Sequence, residues 1–186
     1  MPIKRRPTAP VTAKTLENAA LVYLARYQTS AENLRRILAR RVERAARAGP
    51  LDRATASLWI ERLIARFRMA GVLDDRAYAA ARVASLRRAG AATRAIRARL
   101  LKKGVPPDVV EAALKPGDDR DHVDLIAAVV LARRRRLGPY RRGGKADGWR
   151  ERELALLARA GFSYAVARTV VDAKSVEDLE RRARND

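Results

Sequence analysis

Residues 100–109 read Leu-Leu-Lys-Lys-Gly-Val-Pro-Pro-Asp-Val, and residues 157–166 read Leu-Ala-Arg-Ala-Gly-Phe-Ser-Tyr-Ala-Val. The two segments lie 57 residues apart and share one plan. Leu100 and Leu157 close an apolar stripe, and Gly104 and Gly161 follow four residues later as helix stops. Glycine takes the left-handed backbone that ends a helix without penalty. Val105 or Phe162 then plugs the turn, Pro106 or Ser163 opens the next helix, and Val109 or Val166 returns to the core. Proline tolerates the first helical turn, and serine caps one. A plan recurring at a fixed offset is the mark of a helical repeat.

Outward from these junctions, helical spacing continues. A first helix is predicted over 12–28, with Leu16, Ala20, Tyr23, Leu24 and Tyr27 on one face. Thr29 or Ser30 caps a second, which buries Leu34, Ile37 and Leu38. Val42 stands where the other units have glycine, so this helix runs on to Gly49-Pro50. Asp52 caps a third, strongly apolar helix through Trp59, Leu63 and Phe67, and Asp74 caps a fourth that Gly90 ends. A fifth spans 91–103 and a sixth starts at Pro106-Pro107. A seventh begins between Asp118 and Asp121, where carboxylates complement the helix dipole, and ends in Arg133–Arg136. An eighth covers 149–160 and a ninth starts at Ser163.

The expectation is all-α: an elongated, right- or left-curving stack of three tandem three-helix repeats, about nine helices, at 12–70, 71–117 and 118–174. A disordered basic arm, 1–11, precedes it, and a charged tail, 175–186, adds a short helix or frays. Four glycines and three basic residues between 138 and 148 read as a mobile basic loop.

Composition agrees with a helical class and narrows the chemistry. Among 186 residues, 41 Lys and Arg face 21 Asp and Glu, a net charge of +20, with one His and no Cys. This excludes disulfides, thiolate metal sites and Cys nucleophiles, and a polyanionic partner is expected. The charge is spread: 11 basic against 3 acidic residues in 1–50, 14 against 6 in 51–115, and 16 against 12 in 116–186. Ala and Arg dominate, as a GC-rich genome would write them, so codon usage accounts for part of the arginine excess. No run approaches the roughly 18 apolar residues of a membrane span, and no secretory signal follows the basic start. A cytoplasmic monomer without membrane contact is expected.

Gly71-Val-Leu-Asp-Asp-Arg-Ala-Tyr-Ala79 resembles the most diagnostic segment of the RecX family. Three further matches surround it in family order. They are Tyr23–Arg26 with Ser30–Leu34, then Leu101–Val105, then Leu157–Ser163. Together they cover about residues 12–173. The chain departs from the family in the missing first glycine, the extension 43–49, the glycine-rich loop and the basic arm. The resemblance implies a stack of three-helix repeats and a regulator of the RecA recombinase. Such proteins lie in the groove of the RecA filament on single-stranded DNA and restrain its growth and ATP turnover. That would limit recombination and the SOS response. Duplex DNA is a secondary partner to consider.

The residues themselves favour binding over catalysis. Asp74 and Asp75 read as a helix cap and a first-turn carboxylate, because no third acid or histidine accompanies them. His122 is alone in a first helical turn. The glycines at 138–148 lack the Gly-Lys-Ser/Thr end of a phosphate loop. No catalytic residue, metal or cofactor is expected. Candidate contacts to filament carboxylates or DNA phosphates are Arg35, Arg36, Arg40 and Arg41 on the second helix, and Arg94, Arg97, Lys102 and Lys103 on the fifth. Arg133, Arg134, Arg135, Arg136, Arg141, Arg142 and Lys145 complete the set around the loop. Trp59, Phe67, Tyr23 and Tyr27 read as core, leaving Tyr140 and Trp149 as the aromatics considered for base stacking. The alternative function is a helical DNA- or RNA-binding protein, such as a repressor, with no recombinase partner. It is disfavoured because no helix combines Arg, Asn and Gln at base-reading positions. An enzyme is the weakest reading.

Overall fold

The computed structural model describes residues 10–114, 120–143 and 147–184. Among them it holds ten α-helices and no strand. In chain order these are α1 (Ala13–Leu24), α2 (Ala31–Ala46), α3 (Arg53–Met69), α4 (Asp75–Arg88) and α5 (Thr93–Lys102). Then follow α6 (Pro107–Leu114), α7 (Arg120–Arg135), α8 (Trp149–Ala160), α9 (Tyr164–Val171) and α10 (Val176–Arg184). A 3₁₀ turn, Gly138–Tyr140, precedes α8. The all-α expectation holds. The charged tail forms a full tenth helix instead of fraying, because buried Leu179 anchors it and Ser175 accepts from the Asp178 N–H.

Local chemistry sets the helix ends. Thr12 and Thr15 form a reciprocal capping box on α1. Ser30 caps α2 by accepting from the Asn33 N–H, and Thr29 accepts from the Asn33 amide. Asp52 caps α3, Asp74 caps α4 through the Arg76 and Ala77 N–H groups, and Ser163 caps α9. α1 ends earlier than its apolar stripe predicts. The chain turns at Ala25 and then extends, which frees Ser30 to cap α2. α2 does run past the buried Val42, to Ala46, and is longer than α5 or α8.

The chain divides into two compact units. The first holds the described residues up to Tyr78 together with Lys103–Pro106. Its core gathers Leu16, Leu34, Leu38, Ile60, Ile64, Phe67 and Leu73 from α1, α2, α3 and the turn before α4. Trp59 and Tyr23 pack on its edge, partly buried. The second unit holds Ala79–Lys102 and the described residues from Pro107 on. One cluster in it joins Ala128, Ala132, Leu157, Phe162, Val166, Val170 and Leu179. Small alanines on α7 let α9 approach closely, and α9 is apolar enough to bury four of its eight residues.

The two glycine junctions each lie beside the N-terminus of another helix. In the first unit, Gly104 sits against the start of α2. A Cβ there would fall 2.6 Å from Glu32 Cβ, and Ser30 Oγ donates to the Lys103 carbonyl. In the second unit, Gly161 sits against the start of α5, beside Ala92 and the Ala95 N–H. Both glycines have positive φ, +75° and +101°. Each serves as a helix stop, and Gly104 is also a point of close approach to another helix N-terminus, whereas a Cβ at Gly161 would meet only ordinary contacts of 3.4–3.6 Å.

Buried carboxylates complete these N-termini. Asp75 Oδ1 accepts from the Ala31 N–H at 2.9 Å. Asp124 Oδ1 accepts from the Thr93 N–H at 2.8 Å and from its hydroxyl at 2.7 Å. Asp75 therefore does more than the first-turn role its position suggests. It stands in the first turn of α4 and caps α2 across 44 residues.

Candidate nucleic-acid interface

Arginines in a helical chain have three fates: pairing with carboxylates, covering apolar surface with their stems, or facing water. All three occur among the residues the sequence singles out.

On α2, Arg35 forms a two-point pair with Glu61, Nε–Oε1 at 2.7 Å and an Nη–Oε2 bond at 2.9 Å, and also meets Glu32. Arg36 pairs with Glu32 at 2.7 Å. Burial works to raise the Glu32 carboxyl, but hydrogen bonds from Arg35 and Arg36 outweigh it and hold the group below its ordinary value. Two of the four α2 candidates thus tie α2 to itself and to α3. Arg40 is exposed and makes no pair with a described residue. Arg41 is half-buried, and its Nε is fully buried without a hydrogen-bond partner.

On α5, Arg97 forks onto Glu111 of α6 at 2.6 and 2.7 Å, which lowers the Glu111 carboxyl. Arg94, Lys102 and Lys103 are exposed. On α7, Arg133 pairs with Glu180 and lies 5.7 Å from the Tyr140 ring centre. Arg134 donates to the Ala89 carbonyl at 3.2 Å. Arg135 and Arg136 point to water, and Arg136 takes a left-handed backbone (φ +57°) that ends α7 as Leu137 turns inward.

The glycine-rich stretch differs from a mobile basic loop over 138–143. Arg141 is clamped against Glu153, Nε–Oε1 at 2.9 Å, with 16% and 12% of the two side chains exposed. Its guanidinium lies 3.7 Å from the Trp149 ring centre. Glu153 also accepts from the Gly138 N–H. Tyr140 donates to Glu180, and burial pushes its phenol up. The two aromatics considered for base stacking thus serve internal arginine contacts. Arg142 remains exposed, and Lys145 lies outside the described residues.

Sequence reasoning missed a different grouping. Tyr27, assigned to the core, is 57% exposed, and Tyr23 is only half-buried. With Arg26, Arg41 and Arg44 they line a cleft of about 290 Å³ between α1 and α2. The signal was available in the stripe itself. Tyr27 lies beyond the last buried α1 residue, where the chain leaves the core to reach Ser30.

Among the described residues no group of three His, Cys, Asp or Glu side chains is placed to hold a metal ion. No helix among them is long and apolar enough to cross a membrane.

The comparisons with known proteins converge. The family model described as the second three-helix domain of RecX matches residues 74–114. The chain is 43% identical over 173 residues to the regulatory protein RecX of Myxococcus xanthus, covering 91% of each. It is 33% identical over 160 residues to RecX of Mycobacterium marinum, covering 83% of this chain and 89% of that one. The crystal structure of RecX from Lactobacillus salivarius superposes with a TM-score of 0.58 at 18% identity, covering 86% of this chain and 94% of that one. A second crystal structure, of regulatory protein RecX, gives 0.62 at 20% identity, covering 87% and 72%. At these identities the solved structures speak for the fold.

Proposed function

This chain belongs to the RecX family of regulatory proteins, and from that premise we propose that it is a non-enzymatic regulator of the RecA filament on single-stranded DNA. It restrains filament growth and ATP turnover, and so limits recombination and the SOS response. It acts in the cytoplasm as a monomer. Its three three-helix repeats, 12–70, 71–117 and 118–174, each bring basic groups to the partner.

The observation that carries this reading is the family relationship across 91% of the chain, together with a net charge of +20. Pairing with carboxylates consumes only part of that charge. Arg40, Arg94, Arg135, Arg136 and Arg142 are exposed and unpaired among the described residues. A regular anionic polymer complements charge distributed in this way better than a single compact site does.

The test is RecA strand exchange and ATP hydrolysis on single-stranded DNA, with and without this protein. Suppression of both at stoichiometric amounts is expected. Stoichiometric binding with no effect on either would overturn the reading. Selective binding to one short duplex sequence would instead point to a repressor-like protein.

A further inference from the structure

The cleft between α1 and α2 has a lining unlike the rest of the basic surface. Tyr23, Arg26 and Tyr27 form one wall, at the spacing that puts residues on one helical face, and the Tyr27 N–H donates to the Tyr23 carbonyl. Ile37, Leu38, Arg41 and Arg44 form the other. The two rings pack 5.1 Å apart, tilted by 40°. This packing leaves Tyr27 57% exposed, and Val22 beside it is 62% exposed. Three guanidinium groups border the cleft and no carboxylate lines it. Elsewhere on α2, Arg35 and Arg36 have found glutamates, whereas Arg26 and Arg41 pair with no described residue, and Arg44 reaches only the Arg40 carbonyl. Arg41 lines the cleft, and its Nε is buried without a hydrogen-bond partner among the described residues, as is Arg87 Nε elsewhere.

We propose that this cleft is a nucleotide-binding site for single-stranded DNA, in which one base stacks on Tyr27 and its phosphates are held by Arg26, Arg41 and Arg44. The inference rests on the reading that this chain meets single-stranded DNA, and it names where. A volume of about 290 Å³ lies at the small end of ligand pockets, room for one ring system rather than a peptide segment. An aromatic platform flanked by arginines is sequence-tolerant, because every base has a π-face. A regulator of a filament on arbitrary sequence needs that tolerance. An acidic, apolar peptide is the competing occupant. It would use the arginines but gain little from a ring face.

The experiment measures fluorescence anisotropy of the full chain on a labelled oligo-dT and on an abasic oligonucleotide of equal length. Tyr27 is exposed, so Tyr27→Leu keeps the fold, which an unchanged melting curve verifies. Wild type is expected to prefer oligo-dT. Tyr27→Leu should bind oligo-dT roughly 5- to 150-fold more weakly, with abasic affinity unchanged, and Tyr27→Trp should restore binding. Arg44→Ala should weaken both ligands and reduce the salt slope by about 0.7. Equal wild-type affinity for the two oligonucleotides, or an unaltered Tyr27→Leu, would overturn the site. So would Tyr27-dependent binding of an acidic peptide in place of oligo-dT. If the site fails while wild type still suppresses RecA ATP hydrolysis, the regulator reading stands. If wild type neither binds oligo-dT nor suppresses hydrolysis, both fail.

Discussion

Asp75 Oδ1 accepts the N–H of Ala31 at 2.9 Å, so a carboxylate at the start of α4 supplies the N-terminal cap of α2, 44 residues earlier. Asp124 of α7 does the same for Thr93 at the start of α5. A helix N-terminus carries unsatisfied N–H groups and partial positive charge, and a buried carboxylate answers both. The pairing also ties Asp75 to the first residue of α2, and Asp124 to the first residue of α5. Asp75→Ala should therefore cost about 1–3 kcal/mol, the penalty of leaving a buried donor unmade. Asp124→Ala strands two donors of Thr93 and should cost somewhat more, while Asp75→Asn, which keeps an acceptor oxygen, should cost least. Urea denaturation ranks the three. Equal stability of Asp75→Ala and wild type would mean that water replaces the cap.

Gly104 and Gly71 separate backbone strain from close approach. Both have positive φ, +75° and +69°, but only Gly104 faces a neighbouring side chain at its Cβ position. Gly71→Ala should cost about 1–2 kcal/mol from the left-handed backbone alone. Gly104→Ala should exceed it by about 1 kcal/mol or more, because Glu32 Cβ lies too near its own backbone to swing clear. Thermal melts of the two variants read the difference.

Arg141 and Arg142 are neighbours with opposite expected phenotypes. Arg141 lies between Glu153 and Trp149, so Glu153→Ala should destabilise the second unit by about 2–3 kcal/mol, below the full cost for a completely buried pair. Arg142→Ala should change stability by less than about 0.5 kcal/mol. It should lower the salt slope of single-strand binding by about 0.7 if it meets a phosphate. Chemical denaturation and a salt titration of binding, run on both, separate scaffold from contact.

Acid should loosen the protein through its paired carboxylates. The hydrogen bond from Arg150 holds the Asp172 carboxyl below its ordinary 3.8, and Arg182 does the same for Asp178. Hydrogen bonds from Tyr140 and Arg133 lower Glu180 from 4.5. A carboxyl lowered on folding contributes stability that is complete above its unfolded value and lost as pH falls through its folded value. The melting temperature should therefore stay level from about pH 8 to 5 and decline below about pH 4. Asp172→Asn should melt lower at neutral pH and show a shallower acid decline. A melting temperature that rises below pH 4 would contradict this assignment.

Much of the fold is legible in residue patterns because it is local. Ser30, Asp52, Asp74 and Ser163 cap helices through atoms two or three residues away, and spacing alone locates such bonds. Positive-φ glycines at 71, 90, 104 and 161 end helices for reasons carried by the glycine itself. The binding surface is far less legible. Arg35, Arg97 and Arg141 read as free basic groups, yet their partners Glu61, Glu111 and Glu153 sit 26, 14 and 12 residues away. Tyr27 continues an apolar stripe that the chain abandons at the next turn, so periodicity places it in a core it does not enter.

By itself, then, the order of residues determined the helical class, the caps and stops, the repeated glycine junction and the excess of positive charge. Each follows from short-range backbone chemistry or simple composition. Beyond the pairs one helical turn apart, tertiary structure decided which of those charges are neutralised. Arg36 meets Glu32 one helical turn away, but Arg97 and Arg141 lose their availability because packing brings carboxylates from other elements within hydrogen-bond reach. The same packing left Arg26, Arg41 and Arg44 beside two tyrosine rings with no acid among them.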